Sequence, residues 1–455
     1  MNLLAPLLLA LLPLPPQEPT DVVARFELGG RPAAVTRADV AVEMAFHLRR
    51  QDLGLQAVEV LVDAALTRKA ALSKGLMPSD AEVRKFWTDL QAELRAAGQK
   101  PEEIAAVRNT SEAEWLRYIA VQMAQERLVR AELGLPGDEK ISGDMLRLWQ
   151  QETRKKAQVV TDPDVLPIGV AAQIDGETVP MVELGLLLLR TSEDHERDKF
   201  IHQVVYLQCI EALAKQHGIE ATAQDLDAAV AERTADAARD PRYRGLSFEQ
   251  LLKSQGLSVA GLKQSRVFRA NKVLLQKLAA KLHPDAQLRE EVQRDRQAVL
   301  ELVGPRRRIG MIFVRALDEP NALIPLDFPA ALQKLAAVRE RLQKDRFDVV
   351  AKIESQEPAS KARGGDCGWH GRKSDKLPTT VLDAAWTLGK DEVSQPLRDR
   401  DGCFLVKVTD IEPDPTDEQL LARWREHRTQ QLSQQILTDS KLELLDGKSA
   451  REKGR

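Results

Sequence analysis

Aromatic residues are scarce in this chain of 455 residues, at 4%. Binding single-stranded nucleic acid by stacking needs exposed rings beside basic residues, so that function has little material here. Positive charge is not in excess either. Lys and Arg number 66 against 69 Asp and Glu, a formal net charge of -3, which offers no general attraction to phosphate or anionic lipid. No nucleic-acid partner is expected. Cysteine is rarer still: Cys209, Cys367 and Cys403 cannot all pair within one chain, and none lies in a CxxC or Cys/His spacing that would hold zinc. Buried free thiols are the expectation, with a Cys367–Cys403 pair left open only if their segments are neighbouring strands. Neither a metal nor another cofactor is called for.

Long hydrophobic runs are missing beyond the start of the chain. The run from Leu3 to Leu14, followed by prolines, reads as a secretory signal over residues 1–18. It is too short and too interrupted by proline to span roughly 30 Å of hydrocarbon as a helix. No Lys or Arg precedes it, and no clear small-x-small cleavage site follows. The expectation is an exported chain, periplasmic or otherwise extracytoplasmic, with no stable membrane span after processing.

What is present in quantity is charged, helix-patterned sequence, 43% hydrophobic and 30% charged overall. In VEVLVDAALTRKAALSKGL the apolar positions Val58, Leu61, Val62, Ala65, Leu66 and Ala70 recur at three- and four-residue steps, a helical period. Gly75 stops that helix, and Ser79 with Glu82 has the pattern of a capping box for the next. The arrangement recurs 143 residues later, with Gly218 in place of Gly75, Thr222 of Ser79 and Leu226 of Val83. Extended starts match too, VARFELGGRPAAV against VAAQIDGETVPMV. TSEAEWLRYIAVQMAQERLV matches LSVAGLKQSRVFRANKVLL, with Ser111 and Ser258 as N-caps. Two copies this far apart predict paired units, 19–150 and 160–285, and not a solenoid. Phe248–Ser258 is a helix, a glycine stop and a cap without a basic stripe, so it is read as packing and not as DNA recognition.

From Arg306 the character changes. RRRIGMIFVRA has a strand pattern, a helix signal runs through residues 328–355, and ARGGDCGWHG then supplies a bend and a strand. A short helix ending at Gly389 and two further strands complete an α+β unit over residues 303–412. Beyond it, 413–455 begins as an amphipathic helix with Leu420, Leu421, Trp424, Leu432 and Ile436 on one side, and then becomes a polar tail expected to fray.

The helical units resemble the N-terminal chaperone domain of SurA-like and PrsA-like extracytoplasmic folding factors. The ordered motifs SKARGGDCGW, LPTTVLDAAWTL, DEVSQPLR and DGCFLVKV resemble the parvulin (PpiC, rotamase) peptidyl-prolyl isomerases. Together they imply a multidomain fold: duplicated, mainly α-helical units of the SurA N-terminal kind, plus an α+β parvulin domain with a small antiparallel sheet. The implied activity is isomerisation of X-Pro bonds in unfolded or extended client polypeptides, combined with chaperoning of exported or envelope proteins. The resemblance implies a proline pocket walled by Cys367, Leu377 and Val381, with Trp369 and His370 at its outer rim. Glu357 takes the place of the family's central Cys or Asp. The two histidines of the parvulin core are replaced by Met311 and Phe404, which puts catalysis in question and keeps a non-isomerising holdase as the alternative. Paired replacement leaves no orphaned polar group, so folding should survive. RALDEPNALIPLDFP lacks a basic cluster, so no phosphoserine-proline preference is expected.

Overall fold

The computed structural model describes residues 22–101, 112–137, 139–240, 243 and 245–445. The signal segment and Ser111 lie outside them. Two compact units are present: the described residues up to Leu278 together with those from Ser433, and Ala279–Leu432. Among the described residues no helix is long and apolar enough to cross a membrane.

In the first unit, one copy of the repeat runs through β1 (Val22–Leu28), β2 (Arg31–Thr36), α1 (Arg37–Leu48), α2 (Asp52–Ser73), α3 (Asp80–Ala96), α4 (Glu112–Leu133), α5 (Gly143–Lys155) and β3 (Val159–Val160). The other runs through β4 (Val170–Ile174), β5 (Glu177–Pro180), α6 (Met181–Thr191), α7 (Asp194–Gln216), α8 (Ala223–Arg239), α9 (Phe248–Ser254) and α10 (Val259–Gln264). It continues as α11 (Arg266–Phe268), a π-helical turn (Arg269–Leu274) and α12 (Leu275–Leu282). The matched punctuation is real. Gly75 and Gly218 end their helices at φ +68° and +63°, a conformation glycine adopts without strain. Ser79 with Glu82, and Thr222 with Asp225, close capping boxes on α3 and α8. One expectation fails: α4 is a single helix, whereas its counterpart breaks into α10, α11 and the π turn. Ser265 interrupts it, its hydroxyl accepting from the Phe268 N–H as a fresh N-cap.

The two copies exchange their starts. α1 packs on α6 and α7, α6 packs on α1 and α2, the β1–β2 hairpin lies on α7, and β4 lies on α2. Specific contacts follow this crossing. The Gln203 amide donates to Glu43 at 2.8 Å, the rings of His47 and Phe200 meet edge-on at 5.6 Å, and Lys69 pairs with Asp175 at 2.9 Å. Ala41 and Gly185, each the fifth residue of its helix, face each other across α1 and α6; a Cβ on Gly185 would overlap the Ala41 carbonyl.

In the second unit, α13 (Asp285–Arg294) and α14 (Arg296–Val303) precede β6 (Arg307–Arg315). There follow α15 (Phe328–Arg341), α16 (Phe347–Glu354), α17 (Pro358–Ala362), β7 (Asp366–His370), α18 (Thr379–Thr387), β8 (Leu397–Asp399), β9 (Gly402–Ile411) and α19 (Asp417–Asp439). The helix signal over 328–355 is thus two helices. The break lets the Phe347 ring turn onto Gly310 and Gly365, where any side chain would collide with it. The sheet is antiparallel in the order β7-β6-β9-β8. Alternation along β6 and β9 sorts the core onto two faces. Ile312, Val314, Cys403 and Leu405 meet α15 and α16 on one face, and Ile309, Met311, Phe313, Phe404, Val406 and Val408 meet α18 on the other. All three cysteines are free; Cys403 lies on the first face and Cys367 borders the second, so neighbouring strands do not bring them together as a pair.

Leu420, Leu421 and Trp424 of α19 are buried with Leu288, Val292 and Val299 of this unit. From Ser433 the helix belongs to the first unit, where Ser433 hydrogen-bonds Tyr206 at 2.6 Å and Ile436 is buried. The tail does not fray at once: β10 (Glu443–Leu444) pairs with β1, and the Leu445 N–H donates to the Val23 carbonyl at 2.9 Å. The unmet N–H and C=O groups along the edge of β1 supply a partner that the polar sequence did not reveal. β10 repeats β3, which pairs with β4 in the same antiparallel sense. Lys155 and Asp439 end the two preceding helices, and Gln150–Gln151 has its counterpart in Gln434–Gln435 at the same spacing. The Ala279–Leu432 unit therefore stands within the second copy of the repeat, before its closing helix and strand.

Candidate functional site

The α18 side of the sheet gathers most of the residues singled out from sequence. Met311 on β6 and Phe404 on β9 are each 5% exposed, Val381 on α18 is fully buried, and half-buried Cys367 and Leu377 border the same cluster. The strand register explains the grouping. Met311 lies opposite Val406, and Phe313 lies opposite Phe404, so all four side chains share a face. The Phe313 and Phe404 rings stack with centroids 4.7 Å apart. Where the resemblance implies a buried polar pair, the structure thus has an aromatic and thioether layer with no polar atom to satisfy.

Polar groups enter from the loop between α16 and β7. Ser355 is fully buried, its hydroxyl accepting from the Phe313 N–H at 3.2 Å, and the Gln356 side chain accepts from the Arg315 N–H at 2.7 Å. Glu357 is the N-cap of α17. One carboxylate oxygen accepts from the Ala359 N–H at 3.0 Å and the other from the Ser360 N–H at 2.5 Å. Burial works to raise its pKa, but the hydrogen bonds from Ser360 and Ala359 outweigh it and hold the carboxyl below its ordinary range. The chain then turns at Gly364 and Gly365, both at positive φ. The Gly365 carbonyl accepts from the Met311 N–H at 2.8 Å and faces the Cys367 thiol at 3.6 Å. Burial, then the negative charges of Glu357 and Asp366, push that thiol up to about 11. Cys367 is thus an uncharged wall and not a nucleophile at neutral pH.

The two ring residues of β7 separate. Register shifts between Ile309 and Gly310, a bulge on β7, and a bulge reverses the in-and-out alternation that follows it. Trp369 pairs with Arg308 and is 41% exposed, while His370 pairs with Arg307 and is 7% exposed. The His370 ring nitrogens contact the Ser374 hydroxyl at 3.1 Å and the Cys367 carbonyl at 3.0 Å, so the imidazole ties its own loop together. Arg308 pairs with Asp366 at 2.7 Å, and the hydrogen bond from Arg308 is the main reason the Asp366 carboxyl titrates low.

Sequence reading missed Phe313, Ser355, Arg307 and Ser394. Period-two alternation from Met311 would have found Phe313. The Arg307 guanidinium donates to the carbonyls of Ala385 and Leu388 at the end of α18 and lies 5.3 Å from the Trp386 ring, fixing the helix that carries Val381. Ser394, within the DEVSQPLR motif, accepts from the Val406 N–H at 3.0 Å and pins β9. No local pattern announces such long-range partners. Among the described residues no group of His, Cys, Asp and Glu is placed to hold a metal ion.

Residues 324–410 match the family of PPIC-type PPIASE (rotamase) domains, a span that takes in α15 through all of β9 except Ile411, but not β6. Foldase protein PrsA 1 of Bacillus cereus is 42% identical over 83 residues, 18% of this chain and 28% of that protein. Chaperone SurA of Saccharophagus degradans is 23% identical over 302 residues, 64% of this chain and 63% of that protein. This is a SurA/PrsA-like chain with a parvulin-type domain. It spans between about a quarter and two thirds of the length of those curated relatives. Among solved structures, PrsA from Bacillus anthracis aligns over 53% of this chain and 93% of its own, at 18% identity and a TM-score of 0.25. A PpiC-type isomerase domain aligns over 24% of this chain and 94% of its own, at 26% identity and a TM-score of 0.21. The residues matched to the rotamase family fall within the α+β unit with the four-stranded sheet.

Proposed function

We propose that this chain is a peptidyl-prolyl cis-trans isomerase and folding chaperone for exported or envelope proteins, acting outside the cytoplasm on unfolded or extended clients that contain X-Pro bonds. One observation carries the reading: Met311, Phe313, Cys367, Leu377, Val381 and Phe404 form one apolar patch under α18, and the last four of them lie in the span matched to rotamases. The chemistry needs no nucleophile and no cofactor. The two isomers of an X-Pro bond differ by only about 0.5–1 kcal/mol, but rotation crosses a barrier of roughly 18–20 kcal/mol set by amide resonance. A site that seats the proline ring on half-buried Cys367 and Leu377, and excludes water around the twisted amide, favours the transition state over either planar form. In this reading Trp369 and His370 stand at the outer rim of the pocket, and Glu357 takes the central polar position, its charge bearing on Cys367.

A second reading, a parvulin-fold holdase that binds clients without isomerising them, has its own support. Met311 and Phe404 have removed the polar pair, and both oxygens of Glu357 are already committed to capping α17. A protease-free isomerisation assay on an X-Pro tetrapeptide, run beside suppression of aggregation of an unfolded client, separates the two. Catalysis above the spontaneous rate is the expected result. A rate equal to the spontaneous one, with aggregation still suppressed, would establish the holdase instead.

A further inference from the structure

The loop that supplies the site's polar groups holds one buried hydroxyl that nothing above has used. Ser360 is 2% exposed, and its Oγ has no hydrogen-bond partner in normal geometry. Its backbone is fully engaged. The N–H donates to Glu357, and the carbonyl accepts from the N–H groups of Arg363 at 2.9 Å and Gly365 at 2.7 Å. Gly365 in turn links to Met311 and to Cys367. Ser360 therefore sits at the node joining Glu357, the glycine turn, the first sheet strand and the pocket wall. An idle buried hydroxyl is costly, so its retention at this node calls for a use. The groups gathered at this node are the Glu357 carboxylate, which meets the Ser360 N–H at 2.5 Å, and the Cys367 thiol, which meets the carbonyl of Gly365 at 3.6 Å while the Gly365 N–H donates to Ser360. A serine has one hydrogen to donate, so it can serve only one of them at a time.

We propose that Ser360 is the site's positioning donor, its hydroxyl shared between Glu357 and Cys367 and setting the polarity of the wall against which the prolyl amide turns. This assignment rests on the isomerase reading for its catalytic meaning, but not for its physical test. With Met311 and Phe404 apolar, Ser360 supplies a hydrogen that reaches this wall without breaking any bond already made. It acts through Glu357 and Cys367, not by touching substrate.

The test is Ser360→Ala in the full-length chain. Alanine is the best helix former and the lost hydroxyl makes no regular bond, so the variant should fold; unchanged circular dichroism and melting temperature verify this. Alkylation of Cys367 by iodoacetamide at pH 9, followed at the level of the Cys367 peptide by mass spectrometry, reads the thiolate fraction. Loss of a donor to sulfur raises the thiol pKa, so alkylation is expected to slow by roughly three- to ten-fold. In the isomerase assay kcat should fall with KM unchanged. An unchanged alkylation rate overturns the assignment whatever the isomerase assay shows. Slowed alkylation in a wild-type background without isomerase activity upholds the assignment and overturns the isomerase reading instead.

Discussion

Restoring histidine to the apolar layer tests the claim that its two replacements belong together. Phe404 is 5% exposed and stacked on Phe313 at 4.7 Å. Phe404→His loses most of that stacking, about 0.5–1.5 kcal/mol, and buries an imidazole with no polar neighbour on its face, about 1–3 kcal/mol more. The single variant should therefore lose about 2–4 kcal/mol. Met311→His should lose a similar amount, because Met311 is equally buried and surrounded by the same apolar cluster. The double variant should not lose the sum. Met311 lies opposite Val406, two residues along β9 from Phe404, so the pair are diagonal neighbours across the strands, within reach of long side chains at roughly 7–8 Å. Two imidazoles there can bond each other, recovering about 1–2 kcal/mol as a favourable coupling. The chain has two units and need not unfold in one step, so hydrogen exchange of the β6 and β9 amides, read by mass spectrometry, is the appropriate measure of local stability. Purely additive losses would refute the argument that the two positions form one interacting layer.

Other expectations follow from contacts around the site. Glu412 accepts from Arg306 at 3.1 Å and Arg423 at 2.7 Å; burial works to raise its pKa, but these bonds dominate and lower it to about 2. A carboxyl depressed from 4.5 contributes stability above pH 4.5 and loses it as pH falls through about 2. Allowing for partial solvent exposure, Glu412→Gln should cost about 1–2 kcal/mol at pH 7 and converge with wild type in acid urea melts. Gly365→Ala should destabilise the parvulin-type domain by about 2 kcal/mol or more, because φ is +84° and a Cβ would press on the Met311 carbonyl and the Ala351 side chain; a lowered melting temperature checks it. Arg307→Met removes the guanidinium from the carbonyls of Ala385 and Leu388, so amides of residues 379–388 should exchange about ten-fold faster, with a shift in Trp386 emission.

Local chemistry explains what was legible in the sequence. Caps such as Ser79 and Thr222, the glycine stops at Gly75 and Gly218, and the alternation in GMIFV act over a few residues and stand in the sequence as written. The apolar members of the candidate site could be named because the motifs that carry them follow one another in order. Partners far apart in the chain could not. Nothing beside Ser355 signals that its hydroxyl meets Phe313, and nothing in KLELL predicts a strand, because the edge that pairs with it lies more than 400 residues earlier. Plain alternation sets Trp369 and His370 on opposite faces, but the bulge in β7 hid which of them turns inward, since one extra residue reverses the alternation after it. The duplication was visible, but its exchange of arms was not: periodicity shows that a helix has an apolar face, not which copy covers it.

That exchange constrains how the chain can be made. Val23, Phe26, Val40 and Met44 leave the ribosome early, yet the α7 surface that covers their hairpin and helix begins only at Asp194, and β10 closes the sheet at Glu443. At about 5–20 residues per second the first arm waits roughly 10–30 s for its partner helix during synthesis. A chain of this design is itself exposed to misfolding while it emerges, and a cut between its two repeats leaves each half holding an arm fitted to the other.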